Sequence, residues 1–278
     1  MSLPEGFVFS QGSLQAYVDC PRLFQLHYLL NVTWPALDVE PQLEGERQRE
    51  QGSALHRLLQ QHAQGIPEFL LSTLVLDEDV DRWWNNYLET PPPDVPSELV
   101  RAEIGLSVPI AGFRLMARYD RVGADPGRRI VIVDWKTGWK LPLRAWLENR
   151  MQTRVYRYVM TLAGSAFNGG VRPEAEQIEM IYWNANHPDR VMRFQYDGEQ
   201  FEADGVYLHR LIQEIAARDE ENWELTNGTT RCPFCHYRSL CKRGRVAGAF
   251  DELEDDEQAA DDEWDFDLDL EQVAEVIF

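Results

Sequence analysis

The sequence predicts an α/β fold in which helices flank a mixed β-sheet and a helical extension precedes it. Two observations predict this fold. The apolar residues recur with a helical period of about 3.6 before position 97, and with the alternation of a β-strand from position 99 onward. After the first strands, the pattern continues as helix, strands and helix. At 278 residues, the chain is long enough to bury a sizeable core.

The N-terminal region is predicted to be helical. Ser13 has the side chain of an N-cap residue and precedes an apolar helical pattern, while Pro21 predicts a break or kink directly after Cys20. A second helix is expected over 44–64 and a third over 78–88. The consecutive prolines that follow mark a surface loop.

The central region is predicted to form the sheet. Apolar and polar residues alternate over 99–110 and 113–122. The segment 129–135 contains a continuous apolar run, which is typical of a strand buried on both faces. The remaining expected elements are a helix over 143–162, strands over 177–183 and 190–196, and a helix over 198–217.

The charge is distributed unevenly. The net charge is −20, but residues 251–278 hold fourteen of the 47 acidic residues and no lysine or arginine. The rest of the chain is nearly balanced, so the total charge neither requires nor excludes a nucleic-acid partner. We expect 251–278 to be either a disordered solubilising tail or a DNA-mimicking segment that binds a protein partner, such as a helicase, or a channel of this protein.

The sequence predicts no membrane partner. No apolar run approaches the roughly 20 residues of a membrane-spanning helix. The first residues also lack the basic and apolar segments of a secretory signal. We therefore expect a soluble, cytoplasmic protein, and the reducing cytosol disfavours disulfides there.

The four cysteines predict a metal or redox site. Cys232, Cys235 and Cys241 form the spacing C-x2-C-x5-C, and Cys20 lies far away near the N-terminus. Four thiolates can complete a tetrahedral zinc site or ligate a cubane iron–sulfur cluster. The alternative interpretation is four unrelated thiols.

Charged residues also end two neighbouring predicted strands. Asp120 lies in the second strand, and Asp134 and Lys136 end the third. Residues two apart in a strand point to the same face, and unpaired charge is costly in a dry interior. Two carboxylates can hold a hard divalent cation, with the lysine beside it facing a phosphate or an attacking water. The alternative is a salt bridge at the end of a strand.

These residues resemble a known family. Asp120, the run Asp134-Trp135-Lys136-Thr137-Gly138 and the pair Gln152-x3-Tyr156 are similar to the motifs of the PD-(D/E)XK nuclease superfamily, in particular its RecB-like branch, which includes AddB-type and CRISPR-associated iron–sulfur exonucleases. Gly52-x3-His56 and the cysteines also match, in the same order, over roughly 10–245. The resemblance implies a restriction-endonuclease-like core with a C-terminal cysteine cluster segment.

The resemblance implies roles for these residues. His56, Asp120 and Asp134 would ligate Mg²⁺ or Mn²⁺, and the backbone carbonyl of Trp135 would complete the protein ligands. An imidazole ligand favours Mn²⁺. Lys136 would orient or deprotonate the attacking water and stabilise charge on the phosphate. Without the resemblance, the leucines around His56 would favour a histidine of the core over a metal ligand.

Two further sets of residues follow from the resemblance. Gln152 and Tyr156 lie four apart, hence on one helix face, where they would contact the DNA backbone or support Lys136. Arg150, Arg154 and Arg157 belong to the same predicted helix and would bind phosphates.

The resemblance favours a 4Fe–4S cluster over Zn²⁺ at the four cysteines. It implies a metal-dependent nuclease acting as an exonuclease on single-stranded DNA ends, in DNA repair, recombination or CRISPR adaptation. The alternatives are a non-catalytic DNA-binding or scaffold protein of the same fold and a four-cysteine zinc protein. The predicted division is an N-terminal helical region 1–97 supplying Cys20 and His56, a nuclease core 98–220, an iron–sulfur segment 221–250 and the acidic tail 251–278.

Overall fold

The computed structural model describes residues 3–32, 40–219 and 223–244, and the predicted acidic tail lies outside them. The helices are α1 (Gln11–Asp19), α2 (Pro21–Phe24), α3 (Glu40–Ala63), α4 (Glu68–Ser72), α5 (Glu78–Glu89), α6 (Arg144–Asn149), α7 (Met151–Ala163) and α8 (Gly198–Ala216). The strands are β1 (Val8–Ser10), β2 (Leu99–Ile110), β3 (Phe113–Asp125), β4 (Arg129–Lys136), β5 (Ile178–Asn184) and β6 (Met192–Gln195). Across these ranges, no helix is long and apolar enough to cross a membrane.

The six strands form one mixed sheet. Its order is β1-β3-β4-β5-β6, and β2 pairs along β3 as well. The β2–β3, β3–β4 and β5–β6 pairs are antiparallel, whereas β4 and β5 are parallel and are connected through α6 and α7. A parallel pair requires such a crossover connection. The predicted α/β class and restriction-endonuclease-like architecture are confirmed.

The central strand β4 is buried on both faces, as its apolar run predicts. Ile130 and Ile132 face a core that includes residues of α7 and α8. Val131 and Val133 face a second core that includes residues of α3 and α5. Alternate side chains of one strand therefore hold helices on opposite sides of the sheet.

The first strand was not predicted. Residues Val8–Ser10 pair in parallel with Arg114–Met116 of β3, so the N-terminal region contributes a strand to the sheet as well as helices. Ser10, not Ser13, is the N-cap of α1. Ser13 occupies the third helical position, where its hydroxyl accepts a hydrogen bond from the Ser10 backbone N–H at 2.9 Å, and the two serines form a capping box.

Two helix breaks position functional residues. Cys20 has extended backbone between α1 and α2, as predicted from Pro21. The single helix predicted over 143–162 is instead two helices, α6 and α7, because Arg150 adopts an extended conformation with φ −67° and ψ 146°. Because of this break, a new helix begins at Met151, one residue before Gln152.

Candidate active site

The C-terminal end of β4 and the part of β3 that lies beside it bring three predicted residues together. The Trp135 backbone N–H donates a hydrogen bond to Oδ2 of Asp120 at 2.9 Å, which joins the two strands at the site. Asp134 and Lys136 share a face of β4, and Nζ of Lys136 lies 3.2 Å from Oδ2 of Asp134. All three charged side chains are buried, so their charges must be compensated locally.

His56 of α3 faces this site. Its Nδ1 lies 3.5 Å from Oδ1 of Asp120, and 30% of its side chain is exposed. One turn earlier, a Cβ at Gly52 would stand 3.4 Å from Oγ1 of Thr137, so α3 packs directly against the loop after β4. The carboxylate neighbours favour a functional histidine over one buried in the apolar core.

Glu103 is a site residue that the sequence analysis missed. It lies on β2, between the pairs Ala102↔Arg121 and Ile104↔Tyr119, and hence opposite Asp120. Ligand atoms of His56, Glu103 and Asp120 all lie within 4.8 Å of one another. The predicted hairpin could have revealed Glu103. A two-residue turn after position 110 places residue 103 opposite residue 120 in the antiparallel register.

The backbone at Glu103 is unusual. Its φ is +52°, in the left-handed region that a side chain of this size rarely adopts. Arg118 holds the carboxylate, with Nε and Nη2 at 3.0 and 2.9 Å from Oε2. Such strain is found where the surroundings fix a side chain for function.

The close carboxylates shift one another's pKa. Burial raises the pKa of Asp134 to about 7, and Asp120 adds to this effect while Lys136 and His56 oppose it. Burial and Asp120 likewise raise the pKa of Glu103. For Asp120, burial is outweighed by His56 and the Trp135 N–H, which together lower its pKa. The site therefore concentrates negative charge that a cation would neutralise.

His56 supplies positive charge in the absence of a metal. Burial lowers the pKa of its imidazole, but the charges of Asp120, Glu103 and Asp134 outweigh burial and raise the pKa to about 9. The imidazolium thus supplies the positive charge beside these carboxylates that a bound divalent ion would otherwise supply. Nδ1 must lose its proton before it can serve as a ligand.

The residues present fit a divalent metal. Carboxylate oxygens with one imidazole form a donor set suited to Mg²⁺ or Mn²⁺. Oδ2 of Asp134 is buried and, among the described residues, accepts no hydrogen bond, although Lys136 lies nearby. His56, Glu103 and Asp120 have the spacing to hold an ion, with Asp134 beside them. Coordination by the Trp135 carbonyl remains a prediction.

Gln152 and Tyr156 support the site from α7. Gln152 donates from Nε2 to Oδ1 of Asp134 at 2.7 Å. Tyr156 is buried, and its hydroxyl lies 3.5 Å from Nε2 of Gln152 and 3.4 Å from Nε2 of Gln11. Gln152 therefore positions Asp134. The sequence suggested two other contacts for this residue, with the DNA backbone or with Lys136.

The three arginines predicted to bind phosphates have internal partners. The side chain of Arg157 is only 3% exposed and donates to the backbone carbonyls of Thr153 and Gln195. Arg150 is buried against Trp146, and Arg154 pairs with Asp204 at 2.5 Å. For Arg150 and Arg157, burial favours a structural role over the predicted contact with DNA.

Helix α1 connects the start of α7 to the C-terminal segment. Oε1 of Gln15 accepts a hydrogen bond from the Met151 N–H at 3.1 Å, and its Nε2 donates to Asp19 at 2.9 Å. Asp19 also pairs with Arg231, 212 positions later in the sequence. Polar contacts thus run from the residue before Cys232 to the first turn of the helix that carries Gln152.

All four cysteines line one cavity of about 160 Å³. None forms a disulfide. Burial raises the pKa of the Cys235 thiol to about 12, and the three other cysteines add to the effect. Thiols drawn from both ends of the chain into one cavity fit a thiolate-ligated metal or cluster, whose charge would favour their deprotonated form.

Known protein families and solved structures include several that are similar to this chain. The family described as the PD-(D/E)XK nuclease superfamily matches residues 8–242. The solved structure of SSO0001 is similar at 12% identity, covering 86% of this chain and 87% of that one, with a TM-score of 0.42. A candidate exonuclease from Eubacterium rectale is similar at 10% identity, covering 87% and 89%, with a TM-score of 0.48. No match was found among curated proteins. The family match includes every residue of the site and all four cysteines, and the chain belongs to the PD-(D/E)XK nuclease superfamily.

Proposed function

We propose that this protein is a metal-dependent deoxyribonuclease that acts as an exonuclease on single-stranded DNA ends. The superfamily indicates phosphodiester hydrolysis. The observation that carries the proposal is the convergence of His56, Glu103 and Asp120 beside the pair of Asp134 and Lys136. The choice of single-stranded ends rests on the resemblance to the RecB-like branch, as does a role in DNA repair, recombination or CRISPR adaptation.

Each residue has a task in hydrolysis. A bound Mg²⁺ or Mn²⁺ would lower the pKa of a water and neutralise charge on the phosphate. Lys136 orients the attacking water and stabilises the negative charge that develops on the phosphoryl oxygens. Gln152 fixes the rotamer of Asp134, and the Trp135 N–H fixes Asp120, so the carboxylates need not reorganise during attack.

We propose a 4Fe–4S cluster in the cysteine cavity, with a structural task. Cys20 precedes α2, and the other three cysteines lie in the C-terminal segment, so the cluster would join both ends of the chain. The cavity and its four free thiols also suit Zn²⁺. Anaerobic purification followed by absorbance spectroscopy and metal analysis separates the two, because an iron–sulfur protein is brown and a zinc protein colourless.

Activity is tested by digestion of end-labelled DNA with Mn²⁺. Wild type is compared with Asp134→Ala and Lys136→Ala, and Asp125→Asn serves as a matched control because Asp125 lies at the far end of β3 and pairs with Arg129. We expect at least a 10²-fold loss in the two site variants and none in the control. Equal activity in all four proteins would exclude the catalytic assignment of Asp134 and Lys136, and a wild type without activity would favour the non-catalytic DNA-binding alternative.

The form of the substrate distinguishes the finer parts of the proposal. An exonuclease degrades linear single-stranded DNA and leaves a circular single strand intact. Cleavage of the circle at the same rate would establish an endonuclease. A preference for blunt duplex ends over single strands would contradict the proposed strand type.

A further inference from the structure

One aromatic side chain near the site is not used by the chemistry above. Among the tryptophans that the structure describes, Trp139 alone is exposed, at 53% of its surface. It lies three residues after Lys136, so the two Cα atoms are at most about 11 Å apart. An indole at that distance reaches the nucleotides adjoining a phosphate bound at Lys136.

The loop that carries Trp139 is held in place by side chains that contact its backbone carbonyl groups. Asn186 donates from Nδ2 to the carbonyl of Thr137 at 2.7 Å, and Asn184 donates to that of Gly138 at 2.9 Å. Nε2 of His187 lies 2.8 Å from the Trp139 carbonyl oxygen. The exposed ring therefore stands on an ordered loop, so binding a ligand there costs little conformational entropy.

One face of the indole is already covered. The guanidinium of Arg82 lies 4.9 Å from the ring centroid, and Asp79 fixes that guanidinium at 2.8 Å. Asp79 in turn accepts a hydrogen bond from Gln51, which adjoins Gly52 on the helix that carries His56. These contacts place the aromatic ring on the α3 and α5 side of the active site and leave its other face to solvent.

We propose that the open face of Trp139 stacks on an unpaired nucleobase next to the phosphate being cleaved. This inference rests on the proposed function and gives a physical basis for the preference for single strands. Every base has a π-face that can stack on an aromatic ring, but within duplex DNA both faces are covered by neighbouring base pairs, and at a blunt end only the outer face of the terminal pair is open. The indole of Trp139, with one face covered by the Arg82 guanidinium, thus binds unstacked bases in preference to stacked ones.

The first test compares Trp139→Ala and Trp139→Phe with Tyr207→Ala. Tyr207 is a matched control, because it is also exposed and also contacts a guanidinium, that of Arg154, but lies on α8 across the sheet. Binding of a labelled single-stranded oligonucleotide is measured by fluorescence anisotropy with Ca²⁺. We expect Trp139→Ala to weaken binding about tenfold, and Trp139→Phe and the control to remain within about twofold of wild type.

A second measurement uses oligonucleotides with one abasic position each. In wild type, the abasic site beside the scissile phosphate should lower kcat/KM about tenfold, and Trp139→Ala should abolish that sensitivity while blunt duplex binding is unchanged. If Trp139→Ala binds and cleaves as the Tyr207→Ala control does, the inference is wrong. If wild type cleaves no DNA, the proposed function fails, while the anisotropy measurement still decides whether Trp139 stacks on bases.

Discussion

The acidic site and the cysteine cavity are built in opposite ways. The acidic site lies on strands of the sheet, and His56 and Lys136 already balance part of its charge before any ion binds. The cysteines lie on a helix break and on turns, and burial keeps at least Cys235 in its neutral form. The comparison indicates that the fold preorganises the acidic site, whereas the cysteine region would depend on the proposed metal or cluster to hold it together.

The largest expected effect follows from breaking the cysteine site. Cys235→Ser should lower the free energy of unfolding by about 2–5 kcal/mol, because the proposed cluster would link the two ends of the chain and so restrict the unfolded state strongly. Asp134→Asn should leave stability nearly unchanged, because burial raises the pKa of Asp134 and the buried charge is therefore expected to contribute little to folding. Urea denaturation of both variants measures this difference. If both variants are equally stable, the proposed difference between the cysteine site and the acidic site is wrong.

A substitution at Glu103 tests whether the preorganised acidic site binds a metal ion. Glu103→Gln removes one anionic ligand and keeps the shape, so we expect the Mn²⁺ affinity to fall about 10–100-fold. Activity should recover when the Mn²⁺ concentration is raised. Titration of activity against Mn²⁺ provides the measurement, and Glu174→Gln, on an exposed loop, is the control. A loss of activity that added Mn²⁺ does not restore would assign Glu103 a role other than binding the ion.

The pH dependence of stability sharpens the comparison further. Without divalent ions, the folded protein holds protons on His56 up to about pH 9 and on Asp134 up to about pH 7, both above their ordinary pKa values. The folded state then binds more protons than the unfolded state, so stability falls as pH rises. The stabilisation by His56 is complete below pH 6.5 and is lost through pH 9.

We expect the Tm of the metal-free protein to decrease by several degrees from pH 6.5 to pH 9, and added Mn²⁺ to restore it. His56→Gln should flatten the slope over the same range. A Tm that is constant from pH 6.5 to 9 in the wild type would contradict the assigned coupling between His56 and the carboxylates.

The smallest effect concerns the connection between the two regions. Gln15→Leu removes the acceptor for the Met151 N–H and the donor to Asp19. We expect kcat to fall about threefold to tenfold with KM unchanged, because α7 then holds Gln152 less firmly against Asp134. Single-turnover rates at saturating Mn²⁺ measure this effect. An unchanged rate would show that the two regions act independently.

The sequence predicted elements whose signal is local. The run in β4 identified a strand buried on both faces, and Pro21 located the break at Cys20. Strand β1 escaped notice because three residues show no period and their partner on β3 is more than a hundred residues away. The break at Arg150 has neither proline nor glycine at that position to mark it.

The site was predicted less completely than the fold. Asp120, Asp134 and Lys136 were found because charges stand out in or next to apolar strands. Glu103 did not stand out, because it belongs to the polar face of β2, and only its pairing opposite Asp120 reveals it. The burial of Arg157 depends on how α7 and α8 pack, which the spacing of residues on one helix does not specify.

The pairing of β1 with β3 has a consequence for folding. The β2–β3 hairpin joins residues that are near in sequence and can form early, whereas Val8 must find Arg114 across a long intervening chain. During synthesis, the first strand emerges well before its template exists. We therefore expect that the edge of the sheet closes late, and that a nascent chain released before β3 is complete exposes an unpaired, aggregation-prone segment.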